Sequence, residues 1–212
     1  MLAALFFVTA AVTPKGERRR CALVSAAAEL LSEGGFEAVR HRAVARRAGL
    51  PLASTTYYFS SLEELIAAAV EYIGMAETAQ MRTRVSMLSR RRRGAESTAD
   101  VLVDLLLDDL RPAADEQLIS RYERYIACAR HPELRDIQRR VLQQRTDAVC
   151  EAVERCGRCV RSDLLSALVC AVDGAVVSAL VDDGGTPRDS ARATLIDVID
   201  VLAPIDQRAA HV

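Results

Sequence analysis

The apolar residues of this chain recur at intervals of three and four positions, the spacing of one face of an α-helix. Strict alternation of apolar and polar residues, the pattern of a half-buried strand, is nearly missing. Ala, Leu and Arg, which all favour helices, are abundant. The sequence therefore predicts an all-α fold.

The first 60 residues hold three short helical patterns separated by Gly and Pro. The first begins at Thr13-Pro14, a typical cap and first-turn pair, and ends at Gly34-Gly35. The second covers Arg42 to Ala48 and ends at Gly49 as a left-handed cap. The third covers Leu52 to Tyr58. Such an arrangement is typical of a helix-turn-helix, which presents its second helix to the DNA major groove.

Longer helical patterns follow in the rest of the chain. The fourth starts after Ser60-Ser61 and continues towards Met87. The penultimate one, Asp163 to Val181, is apolar on nearly every side, which predicts burial against more than one neighbour. The last, Arg188 to Leu202, is amphipathic. We therefore divide the chain into an apolar leader (1–13), predicted to be disordered, a DNA-binding head (14–60) and a larger helical body (61–212).

Charge and the leader add two expectations. Residues 1–60 carry eight basic and four acidic side chains, which gives +4 there and −5 in the remainder. A basic head suits DNA phosphates, although ordinary solvated helix faces produce the same imbalance. The apolar run Met1 to Val12 lacks the basic segment of an export signal and is too short to span a bilayer. We predict a cytoplasmic protein with no membrane partner.

Six cysteines lie in helical patterns of a chain long enough to bury a core, so reduced thiols are favoured over a disulfide framework. Cys156 and Cys159 form a Cys-x-x-Cys pair, with Cys150 nearby, and such a pair can form a disulfide or hold half of a zinc site. The three histidines lack ligand spacing. We predict no metal and interpret these thiols as residues of a helix end, with a redox-responsive regulator as an alternative.

The motifs that are typical of enzyme active sites are missing from the sequence. It has no glycine-rich phosphate loop, no nucleophile elbow and no metal-binding His pair, and its carboxylates are spread along predicted solvent faces. We predict a protein that is not an enzyme and has no cofactor.

Glycine, aromatic and apolar residues of the first 75 positions form five segments: Ala26 to Leu31, Gly34 to Phe36, Val44 to Leu50, Thr56 to Phe59 and Leu62 to Leu65. Their identities and spacing resemble the TetR family of transcriptional regulators. Beyond residue 75 the resemblance is limited to helix order, helix length and the Asp173-Gly174 pair in the penultimate helix. It implies an all-helical two-domain homodimer, with a three-helix head that binds double-stranded DNA and a body that binds a small-molecule effector.

The resemblance also implies roles for individual residues of the head. Leu52 to Tyr58 would be the recognition helix. Ala53, Ser54 and Thr55 would face the groove, Thr56, Tyr57 and Tyr58 would lie near phosphates, and Arg40 and Arg42 would reach the flanking backbone. Hydroxyl groups suit these roles because they donate to or accept from base edges and phosphates. Phe59 is predicted to fill the core of the head, and the sequence leaves open whether Tyr57 or Tyr58 joins it.

Three positions depart from the family pattern. Leu62 stands where the family usually has Lys, Thr56 where it has Tyr, and Arg40 where it has a Ser or Thr cap. Each lost phosphate contact lowers the logarithmic salt dependence of binding by about 0.9. A ligand-binding dimer that has lost DNA binding is therefore a second alternative.

In the body, the resemblance implies that the last two helices form the dimer interface. The apolar residues expected there are Leu168, Val172, Val176, Leu195, Ile199 and Leu202. Effector-binding residues are not assigned, but methionines and tyrosines suit a pliable apolar cavity, although a place in the core is the favoured interpretation for any single one of them. The candidates are Tyr72, Met75, Met81, Met87, Tyr122, Tyr125 and Cys128. The resulting hypothesis is a repressor that a small-molecule effector releases from a palindromic operator.

Overall fold

The computed structural model describes residues 13–107, 114–182 and 184–206. Within these ranges the chain forms nine α-helices and no strand, which confirms the predicted fold class. The helices are α1 (Pro14–Ala38), α2 (His41–Arg47), α3 (Leu52–Tyr58), α4 (Leu62–Met87), α5 (Ala95–Leu107), α6 (Ala114–Arg130), α7 (Pro132–Arg155), α8 (Ser162–Ala179) and α9 (Pro187–Leu202). The prediction for the leader concerns residues that lie outside the described ranges, apart from Thr13.

Helix α1 begins as predicted, and its regular helical backbone stops at the predicted glycine pair. The Thr13 hydroxyl accepts a hydrogen bond from the Gly16 amide at 3.2 Å, and Pro14 follows in the first turn. Gly34 and Gly35 have non-helical backbone angles, and the φ of Gly35 is 64°, in the left-handed region. A short helical segment follows this break and ends at Ala38.

The turn between α2 and α3 is closed by a Schellman motif. Gly49 has a φ of 64°, in the left-handed region that glycine adopts without strain. Its amide donates to the Arg46 carbonyl at 3.2 Å, and the Leu50 amide donates to the Ala45 carbonyl at 3.0 Å. These two bonds satisfy carbonyls that the end of α2 would otherwise leave unpaired. They fix the angle at which the chain enters α3, whose bounds agree with the sequence prediction.

The head has a small core of its own. Leu23, Val39 and Leu65 are completely buried, and Phe59 is 1% exposed, which confirms its predicted role. On the outside, Arg47 of α2 donates to both carboxylate oxygens of Glu33 at 2.8 and 2.7 Å and so ties α2 to α1.

The core of the body is formed by α5, α7, α8 and α9. Helix α9 packs against both α5 and α8. A buried arginine, Arg158, lies at the edge of this core, where it donates to the Thr98 hydroxyl, the Asp200 carboxylate and the Ala203 carbonyl at 2.8 to 3.1 Å.

The chain divides into two compact units between Ala69 and Val70, within α4. The sequence prediction placed this boundary at 60/61, before α4 begins. Helix α4 therefore contributes its first turns to the head and the rest to the body.

Candidate DNA-binding surface and effector cavity

Helix α3 exposes one side and buries the other. Ala53, Thr56 and Tyr57 are exposed and share one face, since residues three and four apart are neighbours on a helix. Tyr57 is 80% exposed, although it is a large aromatic residue. Ser54 is half-buried. This outward face carries hydroxyl groups on a helix whose entry is fixed by the turn at Gly49.

Thr55 was predicted to face the groove, and this prediction is wrong. The residue is completely buried, and its hydroxyl donates to the Leu52 carbonyl at 2.8 Å. Because the side chain is completely buried in the head, neither its hydroxyl nor its methyl group is accessible to DNA. Helix α3 has seven residues, and Thr55 is the one that is fully buried.

The two tyrosines at the end of α3 differ in exposure. Tyr58 is half-buried, and its ring lies edge-on to that of Tyr57 at 4.9 Å between centroids. The neighbouring Thr56 hydroxyl donates to the Ala53 carbonyl at 3.3 Å, which leaves its oxygen able to accept. Because Tyr57 is exposed and Tyr58 is half-buried, the Tyr57 ring is the more accessible of the two to DNA.

The two arginines that were expected to reach the DNA backbone are both exposed at the start of α2. Arg40 is the residue before the helix and pairs with Glu37. Its side chain is 53% exposed, so a phosphate can compete for it. Arg42 lies in the first turn of α2. The sequence-based placement of these two cations thus agrees with the structure, while their contacts with DNA stay a prediction.

The residues expected at a dimer interface need a correction. Leu168, Val176, Leu195 and Ile199 are completely buried and Val172 is 1% exposed, all inside the core of this chain, while Leu202 is half-buried against it. The five fully buried side chains have no surface left for a partner, whereas Leu202 keeps accessible surface and its place in an interface stays a prediction. The periodicity identified the apolar side of each helix, but that side faces inwards.

Helix α8 nevertheless has apolar surface that this chain does not cover. With 18 residues and a mean hydropathy of 1.6, α8 is long and apolar enough to cross a membrane by length and composition alone. Only 22% of it is buried in this chain. The uncovered side includes Cys170, Gly174 and Val177, and Val181 follows just beyond the helix. This exposed side of α8 is a candidate contact surface.

A cavity lies in the body, and its volume of about 20 Å³ holds a group the size of a water molecule. Its wall comes from α4, α5, α6 and α7 and consists of Glu77, Thr78, Met81, Arg84, Leu105, Leu106, Arg121, Tyr125, Val141 and Arg145. Tyr125 also lines a wider groove of about 400 Å³ between α6 and α7, together with Cys128, Ala129, Arg135, Gln138, Arg139 and Leu142.

Ion pairs surround this cavity. One nitrogen of Arg124 donates to both oxygens of Glu77 at 2.8 and 2.9 Å. Arg145 donates to both oxygens of Asp173 at 2.8 and 2.7 Å, and the Tyr122 hydroxyl donates to the same carboxylate at 3.0 Å. Burial, followed by the Asp173 charge, raises the pKa of Tyr122, so this hydroxyl stays a donor at neutral pH.

Of the effector-site candidates, some line these spaces and some do not. Met81 and Tyr125 line the cavity, and Cys128 lines the groove. Tyr72, Met75 and Met87 are 49%, 65% and 78% exposed. The sequence analysis missed the charged residues of the wall. The sequence does place Arg121 and Arg124 one helical turn apart, beside Tyr122 and Tyr125. Without the fold, however, this pattern indicates only a solvent-exposed helix face.

The thiols give little support to a redox switch. Cys156 is completely buried beside the Arg93 guanidinium, and burial raises the pKa of its thiol. Burial and the neighbouring Glu154 also raise the pKa of Cys150. Since the thiolate is the reactive form, both residues are less reactive than a free cysteine. Among the residues that the structure describes, no cluster of His, Cys, Asp and Glu could hold a metal ion.

A trihelical head with a fixed helix-turn-helix, joined to a helical body with a cavity, defines a class of DNA-binding regulators. Two family matches specify the class. Residues 23–69 match "Bacterial regulatory proteins, tetR family", and residues 93–201 match "Tetracyclin repressor-like, C-terminal domain". The chain belongs to the TetR family of transcriptional regulators. No protein of curated function matches it.

Solved structures share this fold over most of the chain. A Saccharomonospora viridis protein in complex with choline aligns with a TM-score of 0.68 at 17% identity, over 88% of this chain and 98% of that one. The multidrug binding protein EbrR, complexed with ethidium, aligns with a TM-score of 0.65 at 25% identity, over 85% and 98%. The TetR-family protein SCO1917 from Streptomyces coelicolor aligns with a TM-score of 0.61 at 26% identity, over 85% and 97%.

Proposed function

We propose that this protein is a homodimeric repressor, acting in the cytoplasm, that a small-molecule effector releases from a palindromic operator. The observation that carries the proposal is the outward face of α3. It presents Ala53, Thr56 and Tyr57 on a helix whose entry is held by the Gly49 turn. Ala53 is small enough to let the helix approach base edges, and the hydroxyls suit bases and phosphates.

A palindromic operator has two half-sites, so a protein that binds it needs two DNA-binding heads. In the proposed dimer they enter successive major grooves about 34 to 36 Å apart. The uncovered apolar side of α8 supports a twofold partner, because self-association buries the same surface on both copies. The exposed residues of α8 and α9 take the place of the core residues that the sequence analysis had named.

Effector binding is supported by the relatives and by the body. EbrR binds ethidium and the Saccharomonospora viridis protein binds choline in their crystals. In this chain, the cavity wall includes residues of α4, the helix that also contributes to the head. Gly74 of α4 lies so close to Val141 of α7 that a Cβ there would be 2.2 Å from a Val141 methyl group.

This close contact supports a route for release. An effector that displaces α7 or Val141 must also displace α4, since packed cores do not deform continuously. The effector shifts the population away from the DNA-binding geometry by its differential affinity for the two states.

The test starts by selecting duplexes from a random DNA pool with the full chain. Affinity for the selected duplex is then measured by fluorescence anisotropy for Tyr57→Ala. We expect a loss of roughly tenfold, the size of one hydrogen bond to a charged group. Tyr72→Ala, which removes an exposed tyrosine of the body, is the matched control and should bind like the parent.

The alternative of a dimer without DNA binding predicts a different result. In that case the pool yields no enriched sequence, and Tyr57→Ala changes nothing. Either observation contradicts the proposed function.

A further inference from the structure

The groove between α6 and α7 lies beside the turn that joins these helices, and all residues from 125 to 142 are within the described ranges. Its volume is about 400 Å³. The surface that lines it is mainly apolar and includes the Tyr125 ring, Ala129, Leu142 and the buried Cys128. A groove of this size and composition fits a small organic molecule.

Contacts within the chain hold the walls of this groove in place. Arg135 of α7 donates from Nε and Nη2 to the Ala129 carbonyl, in the last turn of α6, at 3.0 and 2.7 Å. The Tyr125 ring lies edge-on to that of Tyr122, with 5.8 Å between centroids, and the Arg124 guanidinium is 5.9 Å from the Tyr125 centroid. The groove is therefore preformed.

Gln138 lines this groove and has a polar group without a partner. The residue is 6% exposed, and its Nε2 is buried with no hydrogen-bond partner among the described residues. Buried amide groups are nearly always hydrogen-bonded, and an unpaired one costs free energy. The terminal torsion of glutamine is broad, so the amide can turn this nitrogen towards the groove. An acceptor oxygen in the groove would then satisfy it.

Three of the less exposed lining residues are uncharged. Burial raises the pKa of the Cys128 thiol and that of the Tyr125 hydroxyl, so both stay protonated at neutral pH. The Gln138 amide is neutral as well. A charged group placed against these side chains would lose hydration without a compensating charge. They favour a neutral acceptor, such as a carbonyl oxygen.

The two cations of the lining, Arg135 and Arg139, are exposed and already have partners. Arg135 is bound to the Ala129 carbonyl, and Arg139 donates to the Asp136 carboxylate at 2.6 Å. Their aliphatic stems can cover an apolar ligand while their charged ends stay in water.

We propose that the groove between α6 and α7 binds a neutral, largely apolar molecule whose carbonyl oxygen accepts a hydrogen bond from the Gln138 amide. Such a ligand is an effector if the proposed function is correct, whereas its binding does not depend on that function. Leu142 of the groove is next to Val141, the residue that meets Gly74 of α4, so the ligand contacts the helix that packs against α4.

Benzophenone and diphenylmethane test the site, because they share two phenyl rings and differ in a central carbonyl or methylene group. Equilibrium dialysis measures the binding of each to the full chain. We expect benzophenone to bind about fivefold more tightly, the size of one neutral hydrogen bond. Near-ultraviolet irradiation links bound benzophenone to neighbouring C–H bonds, and mass spectrometry should locate this label within residues 125–142.

Gln138→Leu removes the donor and keeps a side chain of similar size, so the two probes should bind it equally. Replacing an unpaired buried amide by an apolar group should leave the protein folded, which circular dichroism melting checks. Gln143→Leu is the matched control, because Gln143 is an exposed glutamine of α7 outside the groove. It should keep the fivefold preference for benzophenone.

Ala129→Phe places a ring in the groove and should lower the affinity for both probes by roughly tenfold, since the ring takes the space of the ligand. Ala76→Phe, at an exposed alanine of α4 outside the groove, is its control and should bind both probes like the parent. Sedimentation velocity of folded Ala129→Phe should match that of the parent.

Several outcomes overturn the proposal. On the parent these are the absence of saturable benzophenone binding, equal affinity for the two probes, or a label outside residues 125–142. On folded variants they are an undiminished preference in Gln138→Leu or unchanged affinities in Ala129→Phe. A changed oligomeric state of Ala129→Phe also overturns it, because a protein partner would then cover the groove.

DNA selection with the same samples separates this inference from the proposed function. If benzophenone binds in the groove but the DNA pool yields no enriched sequence, the repressor is ruled out and the carbonyl site remains. If the protein binds its selected duplex but shows no preference for benzophenone, the carbonyl site alone is ruled out.

Discussion

Single residues hold α3 in place, and Gly49 is the clearest case. Its φ of 64° lies in a region that costs an ordinary residue about 1 to 2 kcal/mol. A Cβ at Gly49 would meet no other atom within 4 Å, so the cost of a substitution comes from the backbone conformation and not from a clash.

Gly49→Ala should therefore lower the free energy of unfolding by about 1 to 2 kcal/mol. Gly94→Ala is the control, since Gly94 also has open space around it but no positive φ. It should leave stability unchanged or raise it slightly through the unfolded state. Urea denaturation followed by tyrosine fluorescence measures both, and equal stability of the two variants would contradict the assigned cap.

Whether the sequence predicts the position of a side chain depends on whether neighbours in sequence or tertiary contacts determine it. Gly49 and Thr13 were predicted correctly because turns and caps are governed by local chemistry. Phe59 was predicted correctly because a large aromatic side chain is strongly favoured in a core. Thr55 was not, because its side chain can either face DNA or bond its own backbone, and only the packing of α3 against the head decides between them.

At the scale of helices, the bounds of α3 and the end of α4 could be read from sequence because Gly, Pro and Ser punctuate them. The orientation of α8 and α9 could not. An apolar stripe indicates that a helix packs against something, but the same stripe serves a core and a dimer interface equally well. Leu168 and Leu195 show the consequence, since both are buried within their own chain.

This correction changes the mutations that test the dimer. Charged residues at Leu195 or Ile199 would unfold the body, because they would place an unpaired charge in its core. The double variant Gly174→Arg plus Val177→Arg instead adds charge to the uncovered side of α8. It should produce folded monomers in sedimentation velocity experiments.

Ile119→Arg plus Ile126→Arg adds the same charge to exposed apolar positions of α6 and serves as the control. This variant should sediment as the parent does. A folded Gly174→Arg plus Val177→Arg variant that is still dimeric would show that the dimer uses another surface.

At the scale of the whole molecule, the chain combines a head with dense short motifs and a body whose family likeness is spread over residues 93–201. The head motifs are local in sequence, so the TetR resemblance covers them densely. The cavity depends on residues from four helices, α4 to α7, and it forms only when these helices are packed together. Fold class and DNA-binding region were therefore predictable, while the effector site was not.

The most direct test of the account is a methylation-protection footprint of the full chain on its selected duplex, because guanine N7 lies in the major groove. The account predicts two protected patches related by a twofold axis, with centres about 34 to 36 Å apart. It also predicts that Tyr57→Ala weakens both patches equally, since each head of the dimer presents the same α3. A single protected patch, or protection that is unaffected by the sequence of the duplex, would contradict it.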